Sequence, residues 1–164
     1  MKGHQSAGRK SGEDKFSESS LTRLLTRKHT MLPSEFLKTV YLGDRACKSI
    51  TIDTWGKRVL IQIDEISRIR SASGRWDFYN GENIVDGLLV FADVKSIFFD
   101  PPGPLPNDFI NYLEAVPMPD DLYRFTLSIG SVDDSAKTSE IVLTIEAKHI
   151  YLEDPQRPGV LIDC

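Results

Sequence analysis

The stretch that decides the fold runs from Asp86 to Asp108, DGLLVFADVKSIFFDPPGPLPND. Its two apolar runs, 88–91 and 94–99, are rich in β-branched and aromatic residues, a composition typical of strands buried on both faces. The prolines that follow have no N–H to donate, so a sheet cannot continue through them. The stretch therefore predicts two strands, a tight turn or bulge between them, and a stiff proline connection. We interpret it as the packing centre; the alternative is that the proline connection binds a partner.

A short helix is predicted directly after the prolines. Asn107 or Asp108 can accept hydrogen bonds from the free N–H groups at a helix start. Phe109, Ile110 and Leu113 would then form one short apolar face.

A second short helix is predicted near the beginning of the domain. Ser34 can cap its start, and Gly43 can take the left-handed conformation after its end. Four apolar residues follow helical spacing between these two positions: Phe36, Leu37, Val40 and Tyr41.

Alternating patterns predict several antiparallel strands. Segments 48–52 and 59–63 flank a predicted hairpin turn, in which Gly56 would supply a positive φ. The pattern changes phase at Asp64 and Glu65, where a bulge is expected.

Segments 123–129 and 141–146 alternate as a pair of strands with one solvated face. Short strands are also expected around 150–152 and 160–162. With six to eight strands and two short helices, the fold class is α+β, mostly β: an antiparallel sandwich or a strongly curved sheet.

Charge divides the 164-residue chain into two parts. Residues 1–30 hold seven Lys or Arg and three Asp or Glu. Residues 1–20 have almost no aliphatic side chains and 21–30 form a short basic amphipathic segment, so we expect a disordered or accessory tail. Residues 31–164 hold thirteen Lys or Arg and twenty-one Asp or Glu, which gives a net charge of −8. They form the predicted single β-rich domain. An acidic domain repels nucleic acid and anionic membranes and attracts basic proteins.

The sequence also indicates a compartment. Its apolar runs are shorter than the ~20 residues that a membrane helix needs, so no membrane association is expected. The two cysteines, Cys47 and Cys164, form no disulfide pattern, which fits a reducing cytoplasm.

Motifs that would indicate enzyme chemistry are missing from the sequence. The histidines, His4, His29 and His149, lack the spacing of a metal site, and no glycine-rich phosphate loop occurs. The segment around Ser128 does not match the G-x-S-x-G pattern of a nucleophile elbow, and an inert role is favoured for Cys47. We therefore expect no enzyme, no metal and no cofactor. An enzyme using acidic residues at strand ends is the third-ranked hypothesis: Asp53, Asp64, Glu65, Asp86, Asp93 and Asp100.

Four aromatic residues are the candidate binding residues. Trp76, Phe78 and Tyr79 lie in a polar loop at 71–84, and aromatic side chains carry much of the energy at protein interfaces. They could equally cap an open edge of the core. Trp55, in the hairpin turn, could combine with them to stack a small sugar-like ligand.

Three segments resemble small uncharacterised bacterial proteins with a β-rich build. They are LGDRACKSITID (42–53), VLIQIDEISRIR (59–70) and the stretch 86–108. Some similar small acidic families are immunity proteins that neutralise polymorphic toxins. The resemblance covers roughly residues 33–153 and transfers no functional residue. The net charge of −8, the aromatic loop and the missing catalytic motifs favour a non-enzymatic protein-binding domain, and the resemblance adds a toxin-neutralising immunity protein as the specific hypothesis. A β-sandwich that binds a sugar-like ligand is the alternative.

Overall fold

Antiparallel strands dominate the computed structural model, which describes residues 31–69 and 82–163. Within these residues there is one helix, α1 (Pro33–Leu37), and the mostly β character is confirmed. The strands are β1 (Val40–Tyr41), β2 (Cys47–Asp53), β3 (Arg58–Ile63), β4 (Glu65–Arg68), β5 (Ile84–Val85), β6 (Leu88–Ala92), β7 (Ser96–Asp100), β8 (Ile110–Pro117), β9 (Tyr123–Val132), β10 (Thr138–Ala147), β11 (His149–Glu153) and β12 (Leu161–Ile162). They outnumber the expected six to eight because four of them have four residues or fewer.

Two larger sheets pack face to face and enclose the core. Their strand orders are β12-β11-β6-β3-β2 and β7-β10-β9-β8, and a third sheet has the order β1-β4-β5. The rings of Phe91 on β6 and Phe125 on β9 meet edge to face, with their centroids 5.0 Å apart. One face of each large sheet supplies the core: Val59, Ile61, Ile63, Leu89, Phe91, Phe125, Leu127, Ile129, Leu143 and Ile145. The period of two along each strand therefore builds a sandwich.

The predicted pairing of segments 123–129 and 141–146 is confirmed by β9 and β10. Leu127 lies opposite Leu143 in the core. On the other face, Arg124 lies opposite Glu146, and Arg124 Nη2 is 3.0 Å from Glu146 Oε1.

The stretch 86–108 supplies two strands as predicted, but they belong to different sheets. β6 lies between β11 and β3, and its residues 89–91 are buried. β7 is the edge strand of the other sheet, and the Phe98 side chain is 60% exposed. Between them Asp93 has a φ of 54°, where the chain crosses from one sheet to the other. The expectation of a strand covered on both faces is correct for β6 and wrong for β7.

The helix predicted after the prolines is wrong, because residues from Ile110 onward form β8. A bulge just after Ile110 places Ile110 and Leu113 on the same face of β8. Apolar residues three apart, a spacing typical of a helix, therefore occur in this strand. Asn107, an expected cap, binds the neighbouring strand instead. Its Nδ2 donates to the Val132 carbonyl (3.0 Å), and its Oδ1 accepts from the Val132 N–H (2.8 Å).

The first predicted helix exists but is shorter than expected. Val40 and Tyr41 form β1 and pair with β4. The residue that precedes the helix is Leu32, with a proline following, so Ser34 is not the cap. Proline suits this position because its missing N–H would have no partner there. The left-handed residue after the helix is Asp44 (φ 55°), not Gly43.

β2 and β3 form the predicted hairpin, in which Asp53 lies opposite Arg58. The left-handed residue of the turn is Lys57 (φ 50°) rather than Gly56. At the far end of β3 the predicted bulge is replaced by a change of sheet. After Asp64 the chain leaves the five-stranded sheet and continues as β4 in the three-stranded sheet, which accounts for the change of phase.

Candidate functional site

One end of the sandwich carries five carboxylates, and we call it the acidic end. It comprises Asp44, Asp64, Glu65, Asp86 and Asp108, together with the exposed apolar residues Val85 and Phe109. The Asp86 N–H donates to the Asp64 carbonyl (2.8 Å), and the Asp64 N–H donates to the Ala46 carbonyl (3.1 Å). Ala46 forms a β-bridge with Phe109. Backbone hydrogen bonds therefore hold these segments in one framework.

The acidic end keeps a net negative charge. Arg45 Nη1 is 2.9 Å from Glu65 Oε2, and Lys48 pairs with Asp86. For the other three carboxylates, no basic side chain of the described residues lies within 4.0 Å. A basic surface would therefore be attracted to this end over a range of about a Debye length.

Two apolar side chains lie exposed among these charges. Val85, on the edge strand β5 directly before Asp86, is 55% exposed. Phe109, directly after Asp108, is 49% exposed. Apolar contacts bordered by polar groups are the arrangement found at protein interfaces.

Trp76, Phe78 and Tyr79 lie outside the described residues. In the sequence they fall between β4 and β5, the strands that bring Glu65 and Val85 to the acidic end. Their contact with a partner stays a prediction.

Three lysines lie at the opposite end of the sandwich, and we call it the lysine end. Lys57, Lys95 and Lys148 occupy three turns joined by backbone hydrogen bonds. The Val94 N–H donates to the Lys57 carbonyl (2.9 Å), and the Lys148 N–H donates to the Ala92 carbonyl (3.1 Å). Six residues of β3 separate Lys57 from Asp64, which puts the two ends roughly 20 Å apart at the rise of a strand.

Trp55 belongs to the lysine end. It is at the tip of the β2–β3 hairpin and is 97% exposed. Trp55 precedes β3, whereas β4, which leads to the undescribed residues 70–81, follows it, so the two lie at opposite ends of β3. Stacking of a sugar-like ligand between Trp55 and the loop aromatics stays a prediction.

Carboxylates at the lysine end are held in the ionised state. The Gly56 N–H, followed by the Arg58 guanidinium, lowers the pKa of Asp53. Arg124, followed by the Ser96 hydroxyl, lowers the pKa of Glu146. A lowered pKa suits a structural ion pair and is unfavourable for a general acid.

The remaining candidate groups do not assemble a reactive site. Burial raises the pKa of the Cys47 thiol to about 11. Cys47 pairs at one end of the five-stranded sheet and His149 at the other, so the two are not brought together. Ser128 is buried and bonds to Glu140 and Asn111. In the part of the chain that the structure describes, no three His, Cys, Asp or Glu side chains are placed to hold a metal ion.

Sequence reasoning missed both Val85 and Phe109 as candidate contact residues. A faint signal exists, since each is an apolar residue next to an aspartate. It also missed the lysines, because each lies in a different turn and only the sheet pairing shows that these turns share one end.

Among known proteins, the chain matches one family model. The chain belongs to the family of unknown function DUF6258, whose model matches residues 31–164. No curated protein and no solved structure gave a significant match. Among the described residues, no helix combines the length and the apolar composition that crossing a membrane requires.

Proposed function

We propose that this member of a family of unknown function is a non-enzymatic domain that binds a basic protein through its acidic end. The observation that carries the proposal is the exposure of Val85 and Phe109 on a framework of carboxylates. Opposite charge speeds the encounter of two proteins, while apolar contacts contribute most to the affinity.

Two further observations support a role without catalysis. The Cys47 thiol is buried with a raised pKa, so its nucleophilic thiolate form is suppressed at neutral pH. The Ser128 hydroxyl is also buried, and it bonds to a carboxylate and an amide rather than to a general base of the histidine type.

Neutralisation of a bacterial toxin is the specific form of the proposal. It is supported by the acidic balance of residues 31–164 and by the resemblance to small bacterial families. The scarcity of cysteine supports a cytoplasmic location as part of the same proposal.

The proposal is tested by capture with the full chain as bait, from a lysate of the native organism, at low and at high salt. We expect one stoichiometric basic protein at low salt and its release at high salt. An empty capture at both salt concentrations would contradict the proposal.

A matched pair of variants locates the contact. Val85→Lys replaces an exposed valine on the edge strand β5 at the acidic end. The new positive charge would repel a basic partner. Val116→Lys makes the same change on the edge strand β8, where Val116 is 49% exposed and lies towards the lysine end. Only V85K is expected to abolish capture, and loss in both variants or in neither would place the contact elsewhere.

A further inference from the structure

A cleft of about 270 Å³ opens at the lysine end, between the edges of the two large sheets. Ile52 of edge strand β2 and Val59 of β3 line one side of it. Val94, which precedes edge strand β7, and Ile97 within that strand line the other side. Ile52 lies opposite Val59 and so faces the interior, yet it is 50% exposed. The sandwich is therefore open here, and its apolar interior is accessible.

Cations surround this apolar floor. Lys57 and Lys95 line the cleft, and in the described part of the chain neither has a carboxylate within 4.0 Å. Arg58 also lines it but is 3.0 Å from Asp53 Oδ2. Lys148 is in the adjoining turn. Two lysines that have no carboxylate partner among the described residues therefore line a cleft in a domain whose net charge is −8.

The other titratable groups near the cleft leave this positive balance in place. Asp53 is engaged by Arg58 and by the Gly56 N–H. Asp93 lies 3.6 Å from His149 Nε2, and Glu146 is bound by Arg124 and Ser96. Asp53 and Glu146 each pair with an arginine, and Asp93 contacts a histidine that is charged only when protonated. Among the described residues, neither Lys57 nor Lys95 has a carboxylate within 4.0 Å.

The backbone at Lys57 is a separate observation. Its φ of 50° lies in the left-handed region, which favours glycine, and a glycine immediately precedes it. A bulkier residue in this conformation carries a cost in strain. The position nevertheless holds a lysine, and this lysine lines the cleft.

We propose that this cleft binds a small organic acid, with the apolar body of the ligand on Ile52, Val59, Val94 and Ile97 and its carboxylate between Lys57 and Lys95. The volume is that of roughly nine water molecules at ~30 Å³ each, so a single aromatic ring or a short branched chain fits it. Thr54 also lines the cleft, and its hydroxyl can donate to a carboxylate, whereas the Ser96 hydroxyl already donates to Glu146. This site is independent of the acidic end and of protein binding there.

The test is a titration of the full 164-residue chain with benzoate, followed by backbone amide NMR shifts. Benzyl alcohol, which has the same ring without the charge, is the matched probe. We expect saturable shifts at amides of residues 54–58 and 94–97 with benzoate, at a Kd on the order of 1 mM, and much weaker shifts with benzyl alcohol.

Lysine variants test the role of charge. Lys57→Gln and Lys95→Gln should each lower the affinity for benzoate about five-fold, and the double variant should lower it at least about ten-fold. Both lysines are exposed, so these variants keep the fold, which their amide spectra verify. Lys137→Gln is the control, because Lys137 lies in the β9–β10 turn at the far end and should leave the affinity unchanged.

Three results would overturn the proposal. Benzoate could fail to shift the cleft amides, or benzyl alcohol could bind as tightly as benzoate. The double variant could also retain the affinity of the parent chain. In addition, binding of a peptide with a free C-terminal carboxylate but not of benzoate would assign the cleft to a protein chain instead of a small acid.

Discussion

The acidic end and the lysine end are built by the same two sheets and differ in the residues that fill their turns. At the acidic end, Asp64 directly follows β3 and is joined by backbone bonds to other carboxylate-bearing segments. At the lysine end, Lys57 directly precedes β3 and is joined in the same way to the turn that holds Lys95. One strand of six residues thus separates surfaces of opposite charge.

This difference shows that the net charge of a domain is an average over its whole surface and does not give the sign of the charge at one site. The value of −8 for residues 31–164 predicts attraction to basic partners. The structure limits that prediction to part of the molecule, because the cleft beside Trp55 presents cations. A partner at Trp55 and a partner at Phe109 would need opposite charges.

The largest effect is expected from a residue on which both ends depend. Phe91→Ala removes a fully buried ring between the two sheets. We expect the free energy of unfolding to fall by about 3–5 kcal/mol, because contacts are lost and a cavity remains. Urea unfolding measures this change. Phe98→Ala, on the exposed face of β7, is the control and should lower the free energy of unfolding by less than about 1 kcal/mol. Two separate unfolding transitions would show that the ends do not share one core.

A smaller effect is expected from a change that affects the acidic end alone. Asp64 Oδ1 accepts hydrogen bonds from the Ala46 N–H (3.0 Å) and the Glu65 N–H (2.8 Å). Asp64→Ala should therefore lower the free energy of unfolding by about 1–2 kcal/mol. Asp134→Ala removes an exposed carboxylate and is expected to leave stability within about 0.5 kcal/mol. An equal effect in both variants would assign the loss to charge instead of hydrogen bonding.

Low pH should destabilise the lysine end through its own carboxylates. The pKa values of Asp53 and Glu146 lie below the ordinary 3.8 and 4.5 in the folded chain. On acidification the unfolded chain therefore takes up these protons first. The stabilisation is complete above the unfolded-state pKa values and is lost as the pH falls through the lower folded-state values. The Tm of the parent chain should fall more steeply below pH 4.5 than that of Asp53→Asn or Glu146→Gln, and superimposable curves would contradict this.

The smallest effect on stability is expected at Trp55. Its side chain is 97% exposed, so Trp55→Ala should change the free energy of unfolding by no more than about 0.5 kcal/mol. A loss above about 1 kcal/mol in urea unfolding would show that the indole packs against the molecule.

The sequence predicted those elements whose pattern is long and regular. The sequence alternates over 123–129 in β9 and 141–146 in β10, and the predicted pairing and buried face of these segments are correct. β8 was mistaken for a helix because a bulge places apolar residues three apart on one face. The change of sheet after Asp64 looked like a bulge, because periodicity reports which face of a strand is apolar and not which sheet it joins.

The candidate site was less accessible to sequence reasoning. Trp55 was chosen for its residue type, and the structure places it at the tip of a hairpin beside the lysines. Val85 and Phe109 were missed because exposure of an apolar residue depends on the strands that cover it. The grouping of Lys57, Lys95 and Lys148 depends on which turns meet, and that is a property of the sheet order.

The most direct test of the account maps two probes of opposite charge onto one protein. Amide shifts of the full chain would be recorded with a hexalysine peptide and, separately, with benzoate. We predict that hexalysine shifts amides near Asp44, Asp86 and Asp108, whereas benzoate shifts those of residues 54–58 and 94–97. If both probes shift the same amides, or if their positions are exchanged, then the two ends are not the separate binding surfaces described above.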